Sequence, residues 1–158
     1  MSRHRLVPSA ALVTLALGLG ACGPNPESGT WVFTNGEVIT NTCNIDEADI
    51  AEGNFTLLNN ENGSFTIDPE DGTDPFICNL DGADFICPER LQDSQTTLGT
   101  TLDLRVEASG FFDSDVFASG RQEATLSCSG DGCGAAAVVL GVDFPCTSVV
   151  KFSASFRN

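Results

Sequence analysis

Cysteine placement restricts this chain more than any other feature. Seven cysteines occur in 158 residues. Six of them, Cys43, Cys78, Cys87, Cys128, Cys133 and Cys146, are spread through the body of the chain, while Cys22 closes an apolar run near its start. An even set of thiols in an exported chain predicts three disulfides, with 15 connectivities open in principle. The competing use of cysteine is a metal site. No C-x₂-C pair occurs, however, and the sole histidine is His4, so no metal ligand set is expected.

Local spacing narrows the pairings. In Cys128-Ser-Gly-Asp-Gly-Cys133, a two-residue turn at Gly130-Asp131 places the cysteines opposite each other across a hairpin, and glycine first in the turn suits type II′. Cys78 and Cys87 flank Asn79–Ile86, where two turns compete. A II′ turn at Gly82-Ala83 sets the two cysteines opposite each other, whereas a I′ turn at Asp81-Gly82 sets them diagonally. Asp-Gly is the stronger turn signal. Cys43 and Cys146 then pair by elimination.

Residues 1–21 have the parts of an export signal. Arg3, His4 and Arg5 form a basic start, Leu12 to Leu19 an apolar run, and small residues follow. The apolar run is too short to span a bilayer, which takes about 20 residues. Leu19-Gly20-Ala21-Cys22 resembles the lipobox of bacterial lipoproteins, cut before the cysteine, which then carries a diacylglycerol thioether. The resemblance implies lipidation at Cys22. Gly23 stands where an Asp would retain the protein at the inner membrane, which implies a lipid-anchored location at the cell outer membrane. A single acyl chain binds marginally, but each buried CH₂ adds about 0.8 kcal/mol, so a triacylated cysteine holds stably. The expected organisation is a signal over 1–21, a lipidated cysteine with a flexible tether over 22–29, and one β domain over 30–158. The tether reading rests on Gly-Pro-Asn-Pro-Glu-Ser-Gly, which has no apolar period.

Removing the signal sharpens the charge. Of seven Lys and Arg, Arg3 and Arg5 are lost and five remain; all 22 Asp and Glu remain, and five minus 22 is −17. Such a surface repels nucleic acid and anionic head groups, so no nucleic-acid partner is expected. A solvating shell is the simpler reading of the acids. Asp68, Glu70, Asp71 and Asp74 crowd a Pro- and Gly-containing turn that offers a divalent cation, calcium first, several oxygens. The same residue types are also at home in an ordinary solvated turn.

From Thr30 onward the chain reads as strands separated by Gly, Asn and Asp clusters. Leu102, Leu104 and Val106 alternate with Asp103, Arg105 and Glu107, a half-buried strand. Gln122, Ala124, Leu126 and Cys128 alternate with Arg121, Glu123, Thr125 and Ser127, and the last strand buries Val150, Phe152, Ala154 and Phe156. Asn59–Gly63 reads as a hairpin loop, and Phe76-Ile77-Cys78 repeats as Phe85-Ile86-Cys87 across another. The Asn35-Gly36 pair marks either a hairpin or a bend in one long strand. Ala135–Leu140 reads as a buried strand or one short helix. No helical period is sustained elsewhere.

Several short strands at regular spacing predict an all-β domain, a small antiparallel barrel or alternatively a sandwich. Cys43 ends the first strand region and Cys146 begins the last, so a bond between them staples the seam of a closed barrel. Closure also removes exposed sheet edges. Gly29-Thr30-Trp31 resembles the G-x-W element that opens the first strand of lipocalins, with Arg157 in the place of the basic residue that stacks on that Trp. The resemblance implies a lipocalin-like up-and-down barrel and, with eleven Phe in the chain, a small hydrophobic ligand inside. The lipocalin T-D-x-x-Y element has no counterpart in a chain without Tyr.

Catalysis by a nucleophile and a base is not expected. The mature span holds no His or Tyr and a single lysine, Lys151, on the outward parity of its strand. No phosphate loop, G-x-S-x-G or zinc motif occurs, and no cofactor is implied. The function expected first is a non-catalytic envelope or interaction module held to the membrane by its lipid. The alternative is a barrel that binds a small apolar molecule. The sequence names no protein partner.

Overall fold

The computed structural model describes residues 23–44, 52–70 and 72–157. Cys22 and the export signal lie outside them, as does Asp71. The chain forms eight antiparallel strands in a closed barrel: β1 (Gly29–Asn41), β2 (Gly53–Asn59), β3 (Ser64–Asp68), β4 (Phe76–Asp81), β5 (Asp84–Thr97), β6 (Thr100–Ser114), β7 (Phe117–Ser129) and β8 (Cys146–Phe156). Each strand pairs with its sequence neighbours, and β1 closes on β8. The up-and-down barrel is therefore the fold, and the sandwich alternative is set aside.

Period-two patterning sets which side chains face inward. Val106 and Phe112 on β6, Ala118 on β7, and Val150 and Ala154 on β8 are buried, while their neighbours Glu107, Phe111, Asp113, Lys151 and Ser155 are exposed. The Asn35-Gly36 pair sits within one long strand: β1 bends there, with register shifts against β8 between Asn35 and Val38 and again between Val38 and Thr40. Gly110 and Gly120 face each other across β6 and β7. A Cβ at Gly110 would lie 2.2 Å from the Ser119 carbonyl oxygen and 2.9 Å from Phe85 Cζ. One at Gly120 would lie 2.3 Å from the Ser109 oxygen and 3.0 Å from Phe152 Cζ. The two missing side chains thus give Phe85 and Phe152 room against the wall.

Three disulfides are formed: Cys43–Cys146, Cys78–Cys87 and Cys128–Cys133. Two turns differ from the sequence expectation or settle a choice it left open. Asp81 pairs with Asp84, so the β4–β5 turn is Gly82-Ala83, with φ +63° at Gly82. The sequence favoured Asp81-Gly82, but the glycine-first turn is the one that leaves Cys78 opposite Cys87. Cys128 and Cys133 do not face each other across a hairpin. Ser129 ends β7, Gly130 takes φ +106°, and Cys133 opens a helix, α1 (Cys133–Leu140). The bond joins a strand end to a helix start. Gly132 N–H donates to Thr100 Oγ1, which holds this corner on the β5–β6 turn. The Ala135–Leu140 stretch is accordingly helical, but no residue of α1 is buried. It links β7 to β8 at the end of the barrel opposite Trp31.

The segment expected to be a flexible tether is docked. Glu27 N–H donates to Asp115 O and Asn25 N–H to Asp115 Oδ1, across the β6–β7 turn. Asn59 Nδ2 donates to Pro26 O and Asn25 Oδ1, and Pro26 is fully buried. The segment serves as a fixed strap across one end of the barrel, held by the Pro26 carbonyl and its buried ring.

Candidate functional site

The two ends of the barrel are built differently. At one end stand the docked segment, the β2–β3, β4–β5 and β6–β7 turns and the end of β8. Trp31 is wholly buried there. Phe55 stacks beside it at 6.3 Å, and Phe112 and Phe156 meet it edge-on, both at 6.0 Å. Phe65, Phe85 and Phe112 form a second ring cluster with centroids 5.3–5.6 Å apart. Offset and edge-on aromatic pairs of this kind add about 0.5–1.5 kcal/mol each beyond burial. Trp31 Nε1–H donates to Glu27 O, so the one polar atom of the plug is satisfied by the strap. This end is closed.

Above the plug the barrel is hollow. A cavity of about 560 Å³ runs from the ring cluster toward the opposite end. Its walls are Phe33, Phe55, Phe76, Phe152, Leu104 and Val150, with Asn54, Gln92, Gln122 and Ser148 as the uncharged polar groups and Glu52 and Pro69 at the rim. That volume lies inside the range of about 300–1,000 Å³ typical of small-molecule sites, and an apolar wall with a few placed polar groups is their usual make-up. The hollow arises because inward positions above the plug alternate large and small residues. Ala108, Ala124 and Ser148 stand where a barrel filled by its own side chains needs bulk.

The rim is acidic. Glu52 Oε1 accepts a hydrogen bond at 3.0 Å from Asn35 N–H, which holds the carboxylate at the mouth. Pro69 sits between Asp68, whose Oδ1 accepts from Glu70 N–H, and Glu70, whose carboxylate accepts from Thr56 Oγ1. Arg90 is close by but does not line the hollow. Its guanidinium lies 3.8 Å over the Phe76 ring and donates to Gln92 Oε1 and Thr73 Oγ1.

The residues singled out from sequence fall in several places. The six disulfide cysteines staple the barrel; Cys43–Cys146 closes the seam just past the point where Asn41 pairs with Ser148. Trp31 occupies the plug. Arg157 does not take the expected place on it: that side chain is exposed, its backbone N–H bonds Thr30 O, and the rings on Trp31 are phenylalanines. Of the described residues in the acidic turn, Pro69 lines the cavity mouth, with Asp68 and Glu70 on either side of it. Among the described residues no three His, Cys, Asp or Glu side chains converge to hold a metal. Lys151 faces outward and pairs with Glu37, whose carboxyl is held below its ordinary range by that hydrogen bond and then by the charge itself.

Sequence reasoning passed over Ser148, Glu52 and Gln92. Ser148 had a signal, since it continues the inward parity of Val150 and Phe152. Gln92 had none, because register shifts between Cys87 and Arg90 and between Leu91 and Asp93 break the alternation of β5. No protein-family model matches this chain, and no curated protein or solved structure matches it either.

Proposed function

We propose that this chain is an exported, non-catalytic lipoprotein, anchored to the outer membrane through Cys22, whose barrel binds one small, largely apolar molecule. The cavity of about 560 Å³ above a sealed aromatic plug carries this reading. A purely structural module has no use for a hollow that forgoes packing, since each unfilled space removes contacts its lining would otherwise make.

The docked strap gives the anchor a direction. Gly23 abuts the β4–β5 turn, where a Cβ would fall 2.4 Å from Gly82 O. An anchor upstream of Gly23 leaves the closed end nearest the membrane on this reading, and the mouth opens away from it. Ligand then arrives from the aqueous side.

The test is a titration of the mature protein with the fluorescent dye N-phenyl-1-naphthylamine. Saturable one-to-one binding is expected, abolished in Ala124→Trp, where the new ring fills the hollow. No binding, or equal binding by the variant, overturns the reading. Lipidation is tested separately. Cys22→Ser is expected to shift the protein from the membrane fraction to the soluble periplasm, and a variant that still pellets with outer membranes rejects the anchor.

The broader role expected from sequence, an interaction module, is favoured by one observation. Leu98 is fully exposed at the β5–β6 turn, and Val138, Val139 and Leu140 of α1 are exposed at the same end of the barrel. A photo-crosslinker at position 139 that yields a discrete protein adduct in cells supports that role, and a clean lane counts against it.

A further inference from the structure

We infer that the barrel selects a cationic amphiphile, an organic ammonium or similar cation carrying an apolar body, over neutral or anionic molecules of the same size. The inference rests on the cavity reading above and adds the charge class of its ligand.

Three observations converge. Among the described residues Glu52 is the only charged side chain lining the hollow, and it is pinned at the mouth by Asn35 N–H. Next to it, Asp68 and Glu70 flank the rim residue Pro69. The apolar wall is dominated by phenylalanine, with Phe33, Phe55 and Phe152 around the hollow above the plug and Phe76 beside them already covered by Arg90. Ring faces are negative and attract cations, most strongly where water is excluded. The protein already uses this on Phe76, whose ring carries the Arg90 guanidinium 3.8 Å from its centroid. The mature balance of −17 also surrounds the mouth with a field that concentrates cations and repels anions.

Among the described residues Arg90 is the opposing charge nearest the wall. Its guanidinium lies over the Phe76 ring, and Nη2 donates to Gln92 Oε1 and Thr73 Oγ1, which holds the charge against the wall. A carboxylate entering the barrel would pass Glu52 first, and Arg90, the cation on the inward register, is packed against the wall residues Phe76 and Gln92. An ammonium meets a carboxylate at the mouth and ring faces below it.

The experiment uses three probes with one decyl chain: decyltrimethylammonium, decanol and decanoate, all below their micellar concentrations. Each displaces N-phenyl-1-naphthylamine from the mature protein. The ammonium is expected to bind about tenfold more tightly than decanol, with decanoate weakest, and its advantage should shrink as salt rises. Glu52→Gln should reduce the ammonium's advantage severalfold and leave decanol unchanged; circular dichroism confirms that this exposed substitution leaves the fold intact. Equal binding of ammonium and decanol overturns the charge class while the cavity reading stands. Decanoate binding tightest, and losing that affinity in Arg90→Gln, overturns it in favour of an anion site. An ammonium advantage untouched by Glu52→Gln overturns the role of that carboxylate. If neither dye nor probe binds, the cavity reading fails as well, so the two failures are distinct.

Discussion

Removing the seam disulfide should cost far more stability than removing the bond beside α1. Cys43–Cys146 spans 103 residues and Cys128–Cys133 only five. In the chain-entropy model these loops restrict the unfolded chain by about 4.7 and about 2 kcal/mol respectively, a difference of about 2.7 kcal/mol. The surroundings push the same way. Cys146 and Cys43 are buried with Val142 in a small cluster against Leu126 and Phe144, so losing the sulfurs also loosens packing. Cys128 and Cys133 are only half-buried. With a urea slope of about 2 kcal/mol per molar, the two double-alanine variants should differ by about 1.3 M in midpoint, the Cys43/Cys146 variant being the weaker. Urea denaturation of the mature domain, followed by near-ultraviolet circular dichroism, reads this directly. Equal midpoints, or the reverse order, refute the view that this bond closes the barrel's seam.

Gly110→Ala should destabilise the domain by about 1–3 kcal/mol through overpacking, since its Cβ would meet the Ser119 carbonyl oxygen at 2.2 Å and the Gly120 Cα at 2.7 Å; a thermal melt measures it. Phe112→Ala should cost about 3–5 kcal/mol, because the ring joins Trp31 to Phe65 and Phe85, and loss of the near-ultraviolet Trp signal would accompany it. The Glu37–Lys151 pair gives a small pH dependence of known sign. Its lowered carboxyl contributes stability above the ordinary carboxylate range and loses it as pH falls through the depressed folded value. Both groups are largely exposed, so Lys151→Ala should return the Glu37 titration, followed by NMR, toward its ordinary position with almost no change in unfolding midpoint.

Much of the barrel is legible in the chain because alternation is strict where one face is wet and the other is not. Leu102 to Glu107 and Val150 to Phe156 announce strands on this ground alone, and the placement of Cys43 and Cys146 joins first strand to last. Turns were harder. Asp81-Gly82 and Gly82-Ala83 differ by one residue in register, and local preference for Asp-Gly is outweighed by the disulfide and the buried Phe85 that the other register satisfies. The docked strap was illegible because its partners, Asp115 and Asn59, are distant in sequence and offer only hydrogen bonds. The cavity was illegible for a related reason. Whether inward residues fill a barrel depends on which small side chains meet at one level, and Ala108, Ala124 and Ser148 come from three different strands.

Alanine methyl shifts test most directly whether the barrel interior receives a ligand. Ala108, Ala118, Ala124 and Ala154 line the hollow, whereas Ala135, Ala136 and Ala137 lie on the external helix α1. Methyl-labelled protein titrated with decyltrimethylammonium should shift the four inner methyls, saturate with one ligand per barrel, and leave the α1 methyls in place. Shifts confined to α1, or none at all, would contradict a binding function for the interior.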